Sequence, residues 1–410
     1  MNSHKCRFCN SSINNVFVDL GISPLSNSFL KENDLSEPEK KFPLKVLVCQ
    51  KCFLVQIPEF ETPDNIFSEY AYFSSYSKNW LNHIQNYVEM ISKKINLNQN
   101  SLVVELASND GYLLQFFKDK KIPVLGIEPA ANVAKVAQQK GIETMVNFFS
   151  EKLSDGLVKK SIKADLIVGN NVLAHVPNIN DFIRGMKKIL KSDGMINMEF
   201  PHVLELIKNN QFDTIYHEHF SYLSLNTVKM IFEFHNMTIF DVEEISTHGG
   251  SLRIYVKHKE NENIPIKNSV ELLLKKEDEF GLLDISTYEN FSQKTNHIKR
   301  KLIDFFNEAK QKGDKIVCYG AAAKGNTLLN FCKIGKEHIE YVVDNNPYKQ
   351  GLYLPGTHLE IKDPIEIKNS KPKYIVILPW NIKDEIMNDI SFIHEWGGKF
   401  VIPIPEVEII

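Results

Sequence analysis

Long hydrophobic runs are missing from this 410-residue sequence. Apolar stretches such as Tyr374–Trp380 fall far short of the roughly 18 residues that span a bilayer, so no membrane partner is expected. A basic excess is missing too. Lysine and arginine number 48 against 51 aspartates and glutamates, a net charge of −3, which recommends neither nucleic acid nor an anionic surface. The amino end, Met1 to Lys5, has no apolar core of the kind a secretory signal carries, and a cytoplasmic location is expected. Cysteine is scarce: six residues over this length cannot make a disulfide scaffold. What remains is an ordinary globular composition, 43% hydrophobic and 24% charged, long enough for about two to three domains.

The few cysteines are unevenly placed. Cys6 and Cys9 form one C-x-x-C knuckle, and Cys49 and Cys52 another. Each pair can offer both thiolates to one ion from a single turn, and two pairs close a tetrahedral zinc site. Such a site has no open position, so the metal is expected to be structural. The intervening segment is rich in Ser, Asn, Pro and Lys, with one strand-like run, Pro43–Val48. It buries little by itself, and metal binding is expected to supply folding energy. Cys318 and Cys332 read as buried apolar residues.

Past a helical pattern over 81–95, the chain turns to α/β alternation. The run from Ser101 to Gly111 reads as a buried strand and a tight turn, with a helix following. Val124–Glu128 reads as a second strand ending in an acid. Doubly wound folds hold nucleosides this way, and Glu128 can accept ribose hydroxyls. The dinucleotide fingerprint G-x-G-x-x-G is absent. A turn without a diphosphate cradle, built from Glu105, Ala107, Asn109, Asp110 and Gly111, suits a cofactor without phosphates, S-adenosylmethionine (SAM). Two further strands, 164–169 and 194–200, place Asn170, Asn171, His175 and His202 near the ligand end by topology alone. Ser251–Val256 is expected to close this sheet. The preceding His248-Gly249-Gly250 reads either as a close backbone approach to ligand or as an ordinary hairpin turn.

A second unit of the same kind follows a charged, helical stretch, 259–312, whose last helix is expected over Tyr288–Lys312. Lys315–Gly325 reads as strand, small-residue turn and helix, Ile339–Asp344 as a second strand ending in an acid, and Tyr374–Trp380 as a third. Free backbone N–H groups at the helix start and the Lys324 cation suit a diphosphate. Gly320, Ala321, Ala322, Lys324, Gly325 and Asn326 are therefore expected to hold a nucleotide-sugar, with Asp344 near its nucleoside. The alternative is a duplicate domain used only for packing.

In motif order the whole chain resembles the SAM-dependent C-methyltransferases of nucleotide-linked keto-deoxysugars. The resemblance runs through Pro24–Leu30, Tyr70–Ser77, Val104–Gly111, Asn170–His175, Tyr216–Tyr222, His248–Arg253 and Gly320–Gly325. Ala107 stands where glycine is usual. The resemblance implies an α/β fold in three parts: a Cys₄ zinc-binding head (1–75), a class I, Rossmann-like methyltransferase domain (76–258) and a second Rossmann-like domain (259–410). It implies methylation of the carbon next to a ketone, most often C-3 of a 4-keto sugar. A base removes the proton there, and an enolate forms. By the same carry-over His219 is the base, with Tyr216 and Glu218 beside it. His175 and Tyr72 line the sugar pocket and are expected to steady the enolate. His217 is expected to be structural. The expected substrate nucleotide is dTDP, and a monomer is expected to suffice. Methyl transfer to a hydroxyl or amine of a related sugar, and a non-catalytic nucleotide-binding scaffold, are the competing readings.

Overall fold

Runs of β-branched, aromatic and leucine residues make the longer of the first strands. A hairpin of β1 (His4–Lys5) and β2 (Ser12–Ile13) leads into β3 (Asn15–Ser23), β4 (Phe42–Val48) and β5 (Val55–Gln56). The structure, a computed structural model, describes residues 4–67, 73–76 and 78–410. β3, β4 and β5 pair antiparallel, and Phe17, Val18 and Leu20 of β3 point inward. The strand expected over Pro43–Val48 is β4.

The middle of the chain follows the alternation. Helix Lys78–Lys94 buries Ile84, Val88 and Ile91 at i, i+4 and i+7 spacing. Then come β6 (Val103–Leu106), β7 (Val124–Glu128), β8 (Thr144–Val146), β9 (Ala164–Asn170), β10 (Leu190–Pro201), β11 (Ser221–Tyr222), β12 (Met237–Ile245) and β13 (Ser251–His258). Seven of these form one sheet, in the order β12-β13-β10-β9-β6-β7-β8. Its strands β10, β9, β6, β7 and β8 run parallel. Strand order reverses between β6 and β9, where such sheets take ligand beyond their carboxyl ends.

Two details differ from expectation. β13 does not end the sheet; it lies between β10 and β12. The edge strand β12 is obscured by Asp241, Glu243 and Glu244. Those charges are paired: Asp241 with Lys94 and Lys267, and Glu243 with Arg253. The missing eighth strand, β11, joins the head, whose sheet runs β11-β5-β4-β3.

Helices Asn268–Phe280, Ile285–Glu289 and Phe291–Lys312 link to the last domain. The single helix expected from Tyr288 is therefore broken at Asn290. There β14 (Ile316–Tyr319), helix Ala323–Cys332, β15 (Val342–Val343), β16 (Ile361–Lys362), β17 (Tyr374–Ile377), β18 (Lys399–Ile402) and β19 (Glu408–Ile409) build a second sheet, in the order β16-β15-β14-β17-β18-β19. Cys318 and Cys332 are buried in it.

The three parts share cores. Phe17 of the head stacks on Phe291, with centroids 4.5 Å apart, and both belong to the apolar cluster that holds Leu302, Phe306 and the β14 residues. Burying one such ring is worth about 1.5–3 kcal/mol. The head is thus held by packing against the third part as well as by its metal.

Candidate active site and zinc clip

Four thiols meet at one point of the head. The sulfurs of Cys6, Cys9, Cys49 and Cys52 lie within 4.8 Å of one another, with Cys6 to Cys52 and Cys9 to Cys49 both 3.6 Å. A zinc–sulfur distance of about 2.3 Å in a tetrahedron puts sulfurs roughly 3.8 Å apart, so the set fits zinc. The two knuckles are built alike. Asn10 and Phe53, each just past the second cysteine, have φ of 58° and 57°. Their N–H groups return to the carbonyls of Cys6 and Cys49. The Gln56 amide donates to the Cys6 sulfur at 3.2 Å.

The first turn of the methyltransferase domain lies at the strand-order reversal. Ala107, Asn109 and Gly111 all take left-handed backbone, with φ of 55°, 49° and 76°. That explains why glycine suits position 107; alanine there costs about 1–2 kcal/mol. Glu128 holds the turn: Oε2 accepts the Asn109 N–H at 2.8 Å and Oε1 accepts the Ala130 N–H at 2.9 Å. Half of its acceptor capacity thus shapes the backbone, and one lone-pair site per oxygen remains for a ribose. Ser74 and Ser75 N–H groups donate to the side chains of Asn109 and Asp110, roofing the turn with residues from the end of the head.

Buried acceptors at this turn lack partners among the described residues, Asp110 Oδ1 and, across the reversal, Asn171 Oδ1, and the Glu105 carboxyl has only the Tyr112 hydroxyl facing it. Burial pushes the Glu105 carboxyl well above its ordinary value. The ammonium of SAM can only donate, and its sulfonium carries positive charge. Both are what such an acceptor-rich turn lacks, so the residues fit the cofactor. Asn170 is close by, its amide 3.4 Å from the Tyr112 hydroxyl.

The histidines gather beside this turn. A 3₁₀ turn, Phe212–Thr214, and the buried Ile215 and Phe220 set the backbone of Tyr216–His219. The His219 ring lies 4.7 Å from that of His175 and 4.0 Å from Tyr216, by centroids. His219 Nδ1 donates to the Thr214 carbonyl at 2.9 Å, leaving its lone pair on Nε2. Burial, then the charges of His175, His248 and Lys324, hold His219 well below the usual histidine value. It is a neutral imidazole with an available lone pair.

His175 is wired the same way. Its Nδ1 donates to the Glu218 carbonyl at 2.8 Å, and burial lowers its pKa to about 4. It therefore offers an acceptor at Nε2, and the enolate-steadying N–H expected of it is absent. The group that fixes this tautomer is the main-chain carbonyl of Glu218, not its side chain. The Glu218 carboxyl takes the Asn27 amide at 2.7 Å and is pushed up to about 7 by burial. Tyr72 lies outside the described residues. His217 sits apart, at 3.2 Å from the Pro43 carbonyl. His202 is also elsewhere than expected: its side chain is buried against Glu277 of the helix Asn268–Phe280 at 2.7 Å.

The last domain turns its loop toward these histidines. Gly320 has φ of 93°, and a Cβ there would meet Pro379 at 2.5 Å. Asp344 does for this loop what Glu128 does for the first: it accepts the Ala321 N–H and the Asn346 N–H, each at 2.8 Å. Ala322 caps the helix, and Gly325 lets it approach Leu378. Lys324 reaches Asn381 at 2.7 Å and lies 4.5 Å over Trp380. Its charge contributes to lowering both His219 and His248. Asn326 departs from the expected role. It is 1% exposed and donates to the Ser26 carbonyl at 2.8 Å, because one turn into the helix the side chain faces the head. Thr214, Asp213, Trp380 and Asn27 were missed as site residues. The one available signal was a tryptophan at the end of a buried strand.

Similarity to known proteins follows the same three parts. Family models match for a zinc binding domain over residues 6–67, a methyltransferase domain over 81–241 and a C-methyltransferase C-terminal domain over 246–405. C-methyltransferase NovU of Streptomyces niveus is 33% identical over 406 residues, covering 99% of this chain and 96% of its own. Among solved structures, a SAM-dependent methyltransferase of Clostridium acetobutylicum shares 10% identity over 42% of this chain and 90% of its own, with a TM-score of 0.34. The magnesium protoporphyrin IX methyltransferase of Synechocystis with bound SAM shares 15%, over 43% and 79%, with a TM-score of 0.33. Likeness at that level decides nothing, whereas full-length identity to NovU, matched domain by domain, does: the chain belongs to the sugar C-methyltransferase family that its motifs resemble, a SAM-dependent C-methyltransferase with a zinc-binding head.

Proposed function

We propose that the protein methylates the carbon next to the ketone, C-3, of a dTDP-linked 4-keto-deoxysugar, working as a monomer in the cytoplasm. The observation that carries this reading is the His219 imidazole. Its Nδ1–H is tied to Thr214, burial keeps it neutral, and its Nε2 lone pair is left for a carbon acid. A proton next to a ketone is acidic enough for such a base, and His219 Nε2 takes it, leaving an enolate. SAM supplies the electrophilic methyl group. His175 Nε2 accepts a sugar hydroxyl and Tyr216 flanks the ring, while a sugar contact for Tyr72 rests on the family resemblance alone. The Gly320–Gly325 loop holds the diphosphate, with Lys324 as its cation. A hexose ring puts its phosphate and its reacting carbon only a few bonds apart, so one cavity serves both. Asp344 shapes that loop from behind.

The test is incubation with methyl-labelled SAM and a panel of nucleotide-linked keto sugars, with NMR placing the label. A new carbon–carbon bond next to the ketone is expected. Label on oxygen or nitrogen overturns the reading, as does failure of the 4-keto substrate to exchange its C-3 proton in D₂O.

A further inference from the structure

The turn between β12 and β13 carries a group that the reading above does not use. His248 has φ of 55°, and Gly249 and Gly250 follow at 93° and 115°. A histidine in left-handed backbone is uncommon, and strain of this kind gathers at functional sites. The turn is fixed in place: the Gln211 amide donates to the Gly249 carbonyl at 2.7 Å, and Trp380 packs so closely that a Cβ on Gly249 would meet it at 2.6 Å. Lys324 lies over that same indole. His248 therefore lies beside the Trp380–Lys324 pair, near enough to His219 for the two rings to act on each other electrostatically.

Its proton is placed by Asn171. The Asn171 side-chain nitrogen lies 2.9 Å from His248 Nε2. An amide nitrogen only donates, so Nε2 accepts, and the proton of the neutral ring sits on Nδ1. Burial keeps the ring neutral, with a pKa of about 4. Nδ1 has no hydrogen bond among the described residues. His175 and His219 are wired oppositely, each donating from Nδ1 to a carbonyl. Of these three rings, His248 is the one whose free nitrogen carries hydrogen. Enolate formation needs both kinds, a lone pair for the proton and an N–H for the oxygen that gains charge.

We propose that His248 is a catalytic residue whose Nδ1–H donates a hydrogen bond to the substrate's carbonyl oxygen as it becomes an enolate oxygen, and that Asn171 is the positioning residue that fixes this tautomer. The proton stays on Nδ1 throughout; the carbon-bound proton goes to His219. The inference rests on the enolate reading of the site.

Two variants test it. His248→Gly removes the donor and suits the left-handed backbone. His248→Asn keeps an N–H near the Nδ1 position, and asparagine tolerates that backbone. The readouts are C-3 deuterium exchange with S-adenosylhomocysteine bound, kcat and KM for the keto sugar, and SAM affinity by calorimetry. The glycine variant is expected to lose about 10²-fold in both exchange and kcat with KM little changed, and the asparagine variant to recover most of that. Native-like exchange in the glycine variant overturns the proposal, as does an asparagine variant no better than glycine. Should the glycine variant not fold, asparagine decides alone: a loss of about 10²-fold there sinks the idea. Native protein that exchanges no deuterium removes the enolate reading itself, a different failure from slow exchange confined to the variants.

Discussion

The indole N–H of Trp380 donates to Asp213 Oδ2 at 2.7 Å. Asp213 precedes Thr214, whose carbonyl holds the Nδ1–H of His219. The third domain thus reaches the proposed base through two hydrogen bonds joined by the Asp213–Thr214 peptide. The other Asp213 oxygen is buried and makes no side-chain hydrogen bond among the described residues, and burial raises that carboxyl to about 6.

Trp380→Phe removes this bond and leaves the buried Asp213 carboxylate with the Lys324 charge as its main remaining compensation. A stability loss of about 1–3 kcal/mol is expected at neutral pH. Turnover is expected to fall while SAM affinity holds. Denaturant titration and calorimetry read the two effects, and unchanged kcat would separate Trp380 from the positioning of His219.

His219→Asn is expected to bind SAM normally and to lose about 10²-fold or more in turnover, the usual worth of a positioned base. Near-normal turnover would take His219 out of that role. In the native protein the acid limb of kcat/KM is expected below 6.5, because burial and the charges of His175, His248 and Lys324 all disfavour the imidazolium. A limb at or above 6.5 would mean a different base.

Glu218→Gln gives a stability test with a definite sign. The Glu218 carboxyl moves from 4.5 to about 7 on folding, so its contribution is present below the unfolded value and lost as pH rises through about 7. The glutamine variant is expected to outlast the native protein at pH 9, by at most about 3 kcal/mol, and the gap is expected to shrink toward pH 5. A gap that grows on acidification would show a carboxylate stabilised in the fold.

Lys324→Met is expected to raise KM for the nucleotide-sugar about tenfold or more, as loss of a charge-assisted contact does, with SAM affinity unchanged. If KM holds while kcat falls, Lys324 serves the reacting centre and the diphosphate lies elsewhere.

Cys49→Ser is expected to lower zinc content and folded yield together, since the clip closes the head. Stoichiometric zinc in that variant, by elemental analysis, would break the assignment of the four thiols.

Much of the fold could be read from the chain. C-x-x-C spacing is local chemistry, and it names four ligands that converge. A buried parallel strand announces itself by composition, as 103–106 and 164–170 do. What stayed hidden depends on contacts distant in sequence. Met237–Ile245 looks too acidic for a strand until Lys94, Lys267 and Arg253 are placed beside it. Asn326 resembles part of a phosphate loop until Ser26, 300 residues away, receives its amide. Nor can a sequence say which ring nitrogen of His175 carries the proton. The Glu218 carbonyl decides that, and with it what His175 can offer a substrate.

The strand Ser221–Tyr222 pairs with Val55–Gln56 of the head, two residues past His219. Inheritance of the segment that carries the proposed base is thereby tied to the head as well as to the methyltransferase domain. A chimaera joining the head of one relative to the body of another would need to carry 216–222 with the head, or else mismatch that edge. Substrate preference in such hybrids would then follow the parent that supplied those seven residues.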